Sequence, residues 1–488
     1  MNRFAALLDR LVLTPQRNGK TRLLVDYFAE TPDPDRGYAL AAITRDLEVK
    51  AIKPAMLRAL IYDRMDETLF DLSYDYVGDL AETIALSWPD NPGANATPSL
   101  SEIVETMTTA SRAEGPALAA GWLDALDASG RWALIKLITG GLRIGVSSRL
   151  AKQALAAYGD KPVNEIEELW HGLEIPYREL FAWLEGDGEK PVSALRAPFR
   201  PVMLAHPIDV EKEFAALDPA DFLAEWKWDG IRVQAAAEAG ERRLYSRTGD
   251  DISRAFPDII EALDFDAAID GELLVFNPEK PPFAVAPFSD LQKRLNRKTV
   301  TKALLGSHPA FIRAYDILER DGEDLRRAPF DQRRAALEDF MATVKPARMD
   351  LSPLVAFADW DALAGQRAAP PEDAIEGVII KRRSAPYTPG RPKGEWWKWK
   401  RDPFIVDAVM MYAQRGHGKR SSFYSDYTFG VWRDAGAGRE LVPVGKAYSG
   451  YTDDELKRLD RFVRDHTTDR FGPVRQVRAD EETGVVLE

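Results

Sequence analysis

The stretch Glu225-Trp226-Lys227-Trp228-Asp229-Gly230-Ile231-Arg232-Val233-Gln234 decides how the middle of this chain folds. Alternating residues on both sides of an Asp-Gly pair predict two strands separated by a turn, with a further run ending at Arg243-Leu-Tyr-Ser-Arg247. Later runs predict strands at Ala268–Phe276, Ala310–Leu318 and Ile375–Lys381, with helical segments around 253–263 and 329–343. Strands and helices are therefore mixed between about 200 and 400.

Working outward, residues 1 to about 185 carry apolar residues at three- and four-residue spacing, as in Phe4-Ala-Ala-Leu-Leu-Asp-Arg-Leu11, and read as all-helical. Gly186-Asp-Gly-Glu-Lys-Pro191, Ala197-Pro-Phe-Arg-Pro201 and His206-Pro207 break both periodicities and read as a linker. Past 401, short strand-like runs such as Phe404–Tyr412 and Tyr427–Trp432 predict a small β-barrel. The expected organisation is a helical domain at 1–190, an α+β domain at 191–400 and a barrel at 401–488, in keeping with 488 residues at about 150 per domain.

Composition narrows the chemistry. The chain has no cysteine, which removes disulfides, Cys-ligated zinc, iron–sulfur clusters and thiol nucleophiles together. Asp9 and Arg10 interrupt the one apolar run near the start, and no apolar stretch reaches the roughly 18 residues of a membrane span, so a soluble intracellular protein is expected. The net charge of −13 speaks against a nucleic-acid partner only as an average. Locally, residues 381–401 carry Lys381, Arg382, Arg383, Arg391, Lys393, Lys398, Lys400 and Arg401 against the single acid Glu395, and a second basic run holds Lys293, Arg294, Arg297, Lys298 and Lys302.

Lys227 is a candidate nucleophile. A free lysine is neutral in only about one molecule in a thousand at pH 7.5, so its surroundings must favour the neutral amine. Taken alone, the run reads more economically as a surface hairpin with solvated Lys227 and Asp229. It is followed in order by Ser246-Arg247-Thr-Gly249, Asp270-Gly271-Glu272, Tyr315-Asp316, Glu376-Gly377 and Trp397-Lys398-Trp399-Lys400. In that order the motifs resemble the covalent nucleotidyltransferase superfamily and, within it, the ATP-dependent DNA ligases. The three-part arrangement is most similar to the bacterial repair type, including the group associated with cisplatin damage response.

The resemblance implies a helical DNA-binding domain, an α+β adenylation domain and a C-terminal OB-fold barrel. It implies that Lys227 attacks the α-phosphate of ATP and carries AMP. Glu225 would read the adenine amino group, Tyr315 would stack on adenine, and Glu272 would bind the ribose. Arg232, Arg247, Lys398 and Lys400 would hold ribose and phosphates, and Glu376, assisted by Asp229, would hold Mg²⁺ or Mn²⁺. Period-two alternation places Lys398 and Lys400 on one strand face and Trp397 and Trp399 on the other.

Nicked duplex DNA is the implied partner, with a monomeric chain in the bacterial cytoplasm at the nucleoid and any nuclease partner unspecified. Arg294, Arg297, Lys298, Arg382, Arg391 and Lys393 are candidate phosphate contacts. So is the glycine-rich loop Gly140-Gly141-Leu-Arg143, for which a helix stop followed by an N-cap at Ser147 or Ser148 is nearly as good a reading. Ligases of this kind carry a final basic motif that orients pyrophosphate. None precedes Gly484-Val-Val-Leu-Glu488, so the barrel is expected to be incomplete, and a protein ending there is expected to adenylylate itself poorly yet seal a pre-adenylylated nick. The alternatives are an RNA ligase, an mRNA-capping-type guanylyltransferase, or a non-catalytic repair scaffold.

Overall fold

The computed structural model describes residues 1–47, 52–91, 96–192, 195–277, 284–295, 297, 299–402, 406–416, 423–436, 438–448, 450–471 and 474–477. The chain divides into two compact units, one of residues 1–23, 34–146 and 404–488 and one of residues 24–33 and 147–403.

In the first unit the helix Asn2–Leu13 buries Phe4, Leu7, Leu8 and Leu11, the three- and four-residue spacing that makes one apolar stripe. That stripe packs on the helix Ala128–Thr139. Asp127 caps this second helix by accepting from Gly130 N at 2.8 Å, and Gly140 ends it in the left-handed conformation. The carboxy-terminal part of the same unit is a five-stranded antiparallel sheet in the order Arg439–Ala447, Tyr424–Asp434, Val409–Arg415, Val474–Val477, Thr467–Phe471. The helix Asp453–Asp465 opens with a capping box between Thr452 and Glu455 and lays Leu459 and Val463 on Ala413, Tyr424 and Tyr427 of that sheet.

The second unit is built on two sheets. We label its main strands β1 (Phe222–Trp228), β2 (Ile231–Glu238), β3 (Glu241–Ser246), β4 (Ala267–Val275), β5 (Ala310–Arg320), β6 (Ile375–Arg382) and β7 (Trp396–Lys400). One sheet has the order His206–Pro207, β7, β6, β1, Leu354–Val355; the other runs β3, β2, β4, β5, Glu323–Asp324, with Met349–Leu351 parallel to β5. Helices of the amino-terminal region complete the unit. Phe28 meets Tyr158 of the helix Ser148–Gly159 and Phe181 of the helix Arg178–Glu185 edge to face.

The Asp-Gly pair does not make the expected hairpin turn. β1 and β2 belong to different sheets, so Asp229-Gly230 is where the chain crosses from one to the other. The hairpin lies one step later, between β2 and β3, where Ala239 and Gly240 both take positive φ. A Cβ on Gly230 would sit 2.6 Å from the Leu273 carbonyl oxygen and 2.6 Å from Leu274 Cδ2, so the crossing strand lies too close to β4 for any side chain. Gly230→Ala is expected to destabilise the chain by about 1–3 kcal/mol through this overpacking, measured by denaturant unfolding.

Candidate active site

The crossing at Gly230 places the two sheets as facing walls of a cavity of about 430 Å³. β1, β6 and β7 give it Glu225, Lys227, Glu376, Lys398 and Lys400; β2, β4 and β5 give it Arg232, Glu272 and Tyr315. Arg247 and Arg391 reach it from the connecting loops. All eight expected nucleotide-site residues line one space, and the expected metal residue Glu376 joins them. The other, Asp229, lies beside Glu376, which acts on its carboxyl.

Register explains the reactive end. Gly377 pairs with Lys227 on one side and with Lys400 on the other, so the two lysines flank a position without a side chain. A Cβ there would meet the Trp399 backbone. By alternation Glu376 belongs with Val378 and Ile380, which are buried in the apolar cluster behind the sheet. A bulge between Ile375 and Gly377 breaks that alternation and turns Glu376 to the lysine side. Its Oε2 lies 2.8 Å from Lys227 Nζ and 3.1 Å from Lys400 Nζ. Desolvation raises the Glu376 carboxyl, but the hydrogen bond and charge of Lys227, then Lys400, outweigh it and leave the group low. Asp229 is raised, first by burial and then by Glu376 beside it.

At the opposite end Glu225 is buried between two cations. Arg334 of the helix Phe330–Val344 donates to Oε1 at 2.8 Å, and Lys381 pairs with Oε2. Lys381 is itself buried, its Nζ lying 4.5–4.6 Å from the centroids of Tyr315, Phe330 and Trp396 and donating to the Tyr315 carbonyl at 3.2 Å. Arg232 is held by Asp270 at 2.5 Å, by Tyr387 Oη at 2.9 Å and by the Met203 carbonyl. Burial pushes the Glu272 carboxyl up to about 8.

The Glu272 shift has a stability consequence. A carboxyl that holds its proton up to about pH 8 in the fold, but only to about 4.5 unfolded, gives the native state the extra proton between those values. Stability then falls as pH rises through that window. Glu272→Gln is expected to remove this fall, seen as a flatter melting temperature between pH 5 and pH 9.

The remaining candidates separate. Arg391, Lys393 and Arg297 are exposed, and Arg143, also exposed, follows Gly141 and Gly140, the latter of which faces open space. The Gly140 helix stop and the Ser147 cap on Leu150 N are both present, so the helix-stop reading describes the local structure. Arg294 is corrected: it is fully buried and doubly bonded to Asp258 at 2.6 and 2.9 Å, which leaves nothing for a phosphate. Lys381 likewise faces the interior. Arg382 lies over Phe222 and donates to the Gly394 carbonyl. Lys298 lies outside the described residues. Sequence reasoning missed Arg334 and Tyr387 altogether, because no local pattern marks a residue that acts by holding another.

Residues 202–400, which contain every element of this cavity, match the model of the ATP dependent DNA ligase domain. They are an ATP-dependent DNA ligase domain. Similarity to curated relatives extends beyond this segment. A "Probable DNA ligase" of Koribacter versatilis (strain Ellin345) is 33% identical over 383 residues, covering 73% of this chain and 63% of the relative. A second "Probable DNA ligase", of Opitutus terrae (strain DSM 11246 / JCM 15787 / PB90-1), is 29% identical over 594 residues, covering 97% of this chain and 57% of the relative. The chain thus spans less than two thirds of the length of these curated relatives. The solved structure Pmar-Lig_Pre shares the fold at a TM-score of 0.53, with 13% identity over 94% of this chain and 90% of that one. Among the described residues no helix is long and apolar enough to cross a membrane.

Proposed function

We propose that this chain is an ATP-dependent DNA ligase that seals nicks in duplex DNA. The observation that carries the reading is the geometry around Lys227: an amine in a cavity with Lys400, Lys398, Arg247 and Arg232 for phosphates, and with Tyr315 and Glu225 at the far end for a base. In the reaction the Lys227 Nζ lone pair forms a bond to the α-phosphorus, the bond to pyrophosphate breaks, and Nζ gives up its proton. AMP then passes to the 5′-phosphate of the nick, and the 3′-hydroxyl displaces it.

Asp229 and Glu376, two adjacent carboxylates, suit a hard cation such as Mg²⁺. An ion held there by one or two carboxylates would take phosphates and water to complete its shell. Bound there, it would neutralise charge developing on the phosphates. Glu376 now shares one oxygen between Lys227 and Lys400, so its turning away from Lys227 frees the amine.

On the same reading, residues 1–190 bind DNA through the Gly140–Arg143 loop, residues 191–400 form the adenylation domain, and residues 401–488 form an OB-fold barrel. Arg297, Arg391 and Lys393 meet phosphates, and the enzyme works as a monomer in DNA repair in the cytoplasm. Incubation with ATP labelled at the α-phosphate, followed by denaturing electrophoresis, tests the first step, and a pre-adenylylated nick tests the last. Label on the chain and sealed product are expected. Absence of both, or label from GTP in place of ATP, overturns the reading.

A further inference from the structure

The loop that ends the helix Ala128–Thr139 holds a backbone conformation that its own residues do not all favour. Gly140, Arg143 and Gly145 take positive φ, at 71°, 44° and 65°. Glycine enters this region freely, but at Arg143 the Cβ crowds the backbone, so contacts outside the turn must hold it. Ile144 supplies part of that hold, being buried in the helical core. Arg143 beside it is exposed, and among the described residues its guanidinium has no hydrogen-bond or ion-pair partner.

Lys20 supplies the rest. It stands in the first turn of the helix Arg17–Glu30, 124 positions from Ile144 in sequence, and Lys20 and Ile144 belong to the same unit. Lys20 is only 7% exposed, and its Nζ donates to the Ile144 carbonyl at 2.6 Å. A Cβ on Gly145 would collide with that Nζ, so the ammonium fills the place of the side chain that Gly145 lacks. Burial pulls the ammonium pKa down, and no carboxylate acts to restore it. A buried cation without a counter-charge is costly, and a methionine would pack the same stem without that cost. What the lysine adds is its bond to the carbonyl one residue beyond Arg143.

We infer that Lys20 is a positioning residue for the loop: through the Ile144 carbonyl it locks the left-handed turn at Arg143 and so sets that guanidinium for a backbone phosphate of the nicked duplex. The inference rests on the reading of Gly140–Arg143 as a DNA contact, and adds to it a residue that no motif in the loop marks. A guanidinium meets a phosphate as a planar fork, so its orientation counts as well as its charge. A loop without the lock would have to order its turn on binding, and Lys20 removes that ordering cost beforehand. Lys20 acts through Arg143 and does not itself meet the DNA.

The test is a double-mutant cycle, read as the affinity of the full chain for a nicked duplex over a range of salt. Arg143→Ala is expected to weaken binding at least about fivefold and to lower the slope of log K against log salt by about 0.9, as one lost phosphate contact requires. Lys20→Met is expected to weaken binding at least about threefold, with the slope lowered in the same direction. In the Arg143→Ala background Lys20→Met should change affinity less than about 1.5-fold, because the group it positions is gone. A role in stability alone would not vanish in that background. Gly145→Ala keeps the lysine but puts a methyl where Nζ lies, so it should cause the same loss, again absent without Arg143, and it carries the test if Lys20→Met does not fold. Unchanged affinity in Lys20→Met overturns the inference. So do additive losses, which would mean that Lys20 meets a phosphate itself. If Arg143→Ala also leaves affinity unchanged, the DNA reading of the loop fails as well. Labelling of Lys227 by ATP on the same samples reports on the ligase reading independently.

Discussion

Lys227→Arg is expected to give a folded chain that takes no label from ATP. The substitution keeps the positive charge next to Glu376, and an arginine fork can satisfy the same carboxylate that now lies 2.8 Å from Nζ. Space is available, because the position across the ladder is Gly377. The pair is partly solvated, so exchanging one cation for another should alter stability by less than about 1 kcal/mol. The chemistry is different. Attack on phosphorus needs a neutral nitrogen, and the guanidinium holds its proton far more tightly than the lysine ammonium, which lowers the neutral fraction by about 10³. Delocalisation makes the guanidinium a poorer nucleophile still. Labelling with α-labelled ATP should therefore fall at least about 10³-fold while the circular dichroism melt is retained. Residual labelling above about one tenth of wild type would mean that another residue carries AMP.

The residues that make chemistry legible in a sequence are those whose spacing matches a strand. Lys398 and Lys400 lie on the cavity side and Trp397 in the apolar cluster behind it, as period-two alternation requires. Trp396 follows the same rule in a less expected way: it shares the lysine face and becomes one wall of the Lys381 cage. What the sequence hid was tertiary. Asp-Gly is a strong local turn signal, but the path at Gly230 is set by contact with Leu273 and Leu274, more than forty positions away. Glu376 reaches the lysines only because a bulge breaks the alternation that makes strands readable. Charge is equally ambiguous. Arg294 and Arg297 stand three positions apart in one basic run, yet the first is buried on Asp258 and the second is exposed. Composition records a charge and gives no sign of whether the fold supplies a counter-charge.

Lys381→Met is the second large effect expected, and it falls on stability. Lys381 Nζ is enclosed by three aromatic rings and pairs with Glu225, both side chains being 2% exposed. Methionine preserves the volume and suits the aromatic cage, so packing loss is small. Removing the ammonium leaves Glu225 buried with Arg334 alone, and Arg334 also holds Glu338 at 2.7 Å. Breaking a buried pair from one side costs about 3–5 kcal/mol, because the surviving charge keeps its desolvation penalty. Glu225→Gln combined with Lys381→Met removes that stranded charge, and the double variant is expected to recover at least about 1 kcal/mol relative to Lys381→Met alone. Denaturant unfolding of the two singles and the double closes the cycle; strict additivity would show that the pair contributes nothing as a pair. The functional readout separates in a useful way. Lys381 also fixes the Tyr315 carbonyl at 3.2 Å, so Lys381→Met, assayed at a temperature where it stays folded, should bind adenine nucleotide more weakly, with a raised KM for ATP. A Lys381→Met variant with wild-type KM would place Lys381 in the fold alone and leave the orientation of Tyr315 to β5.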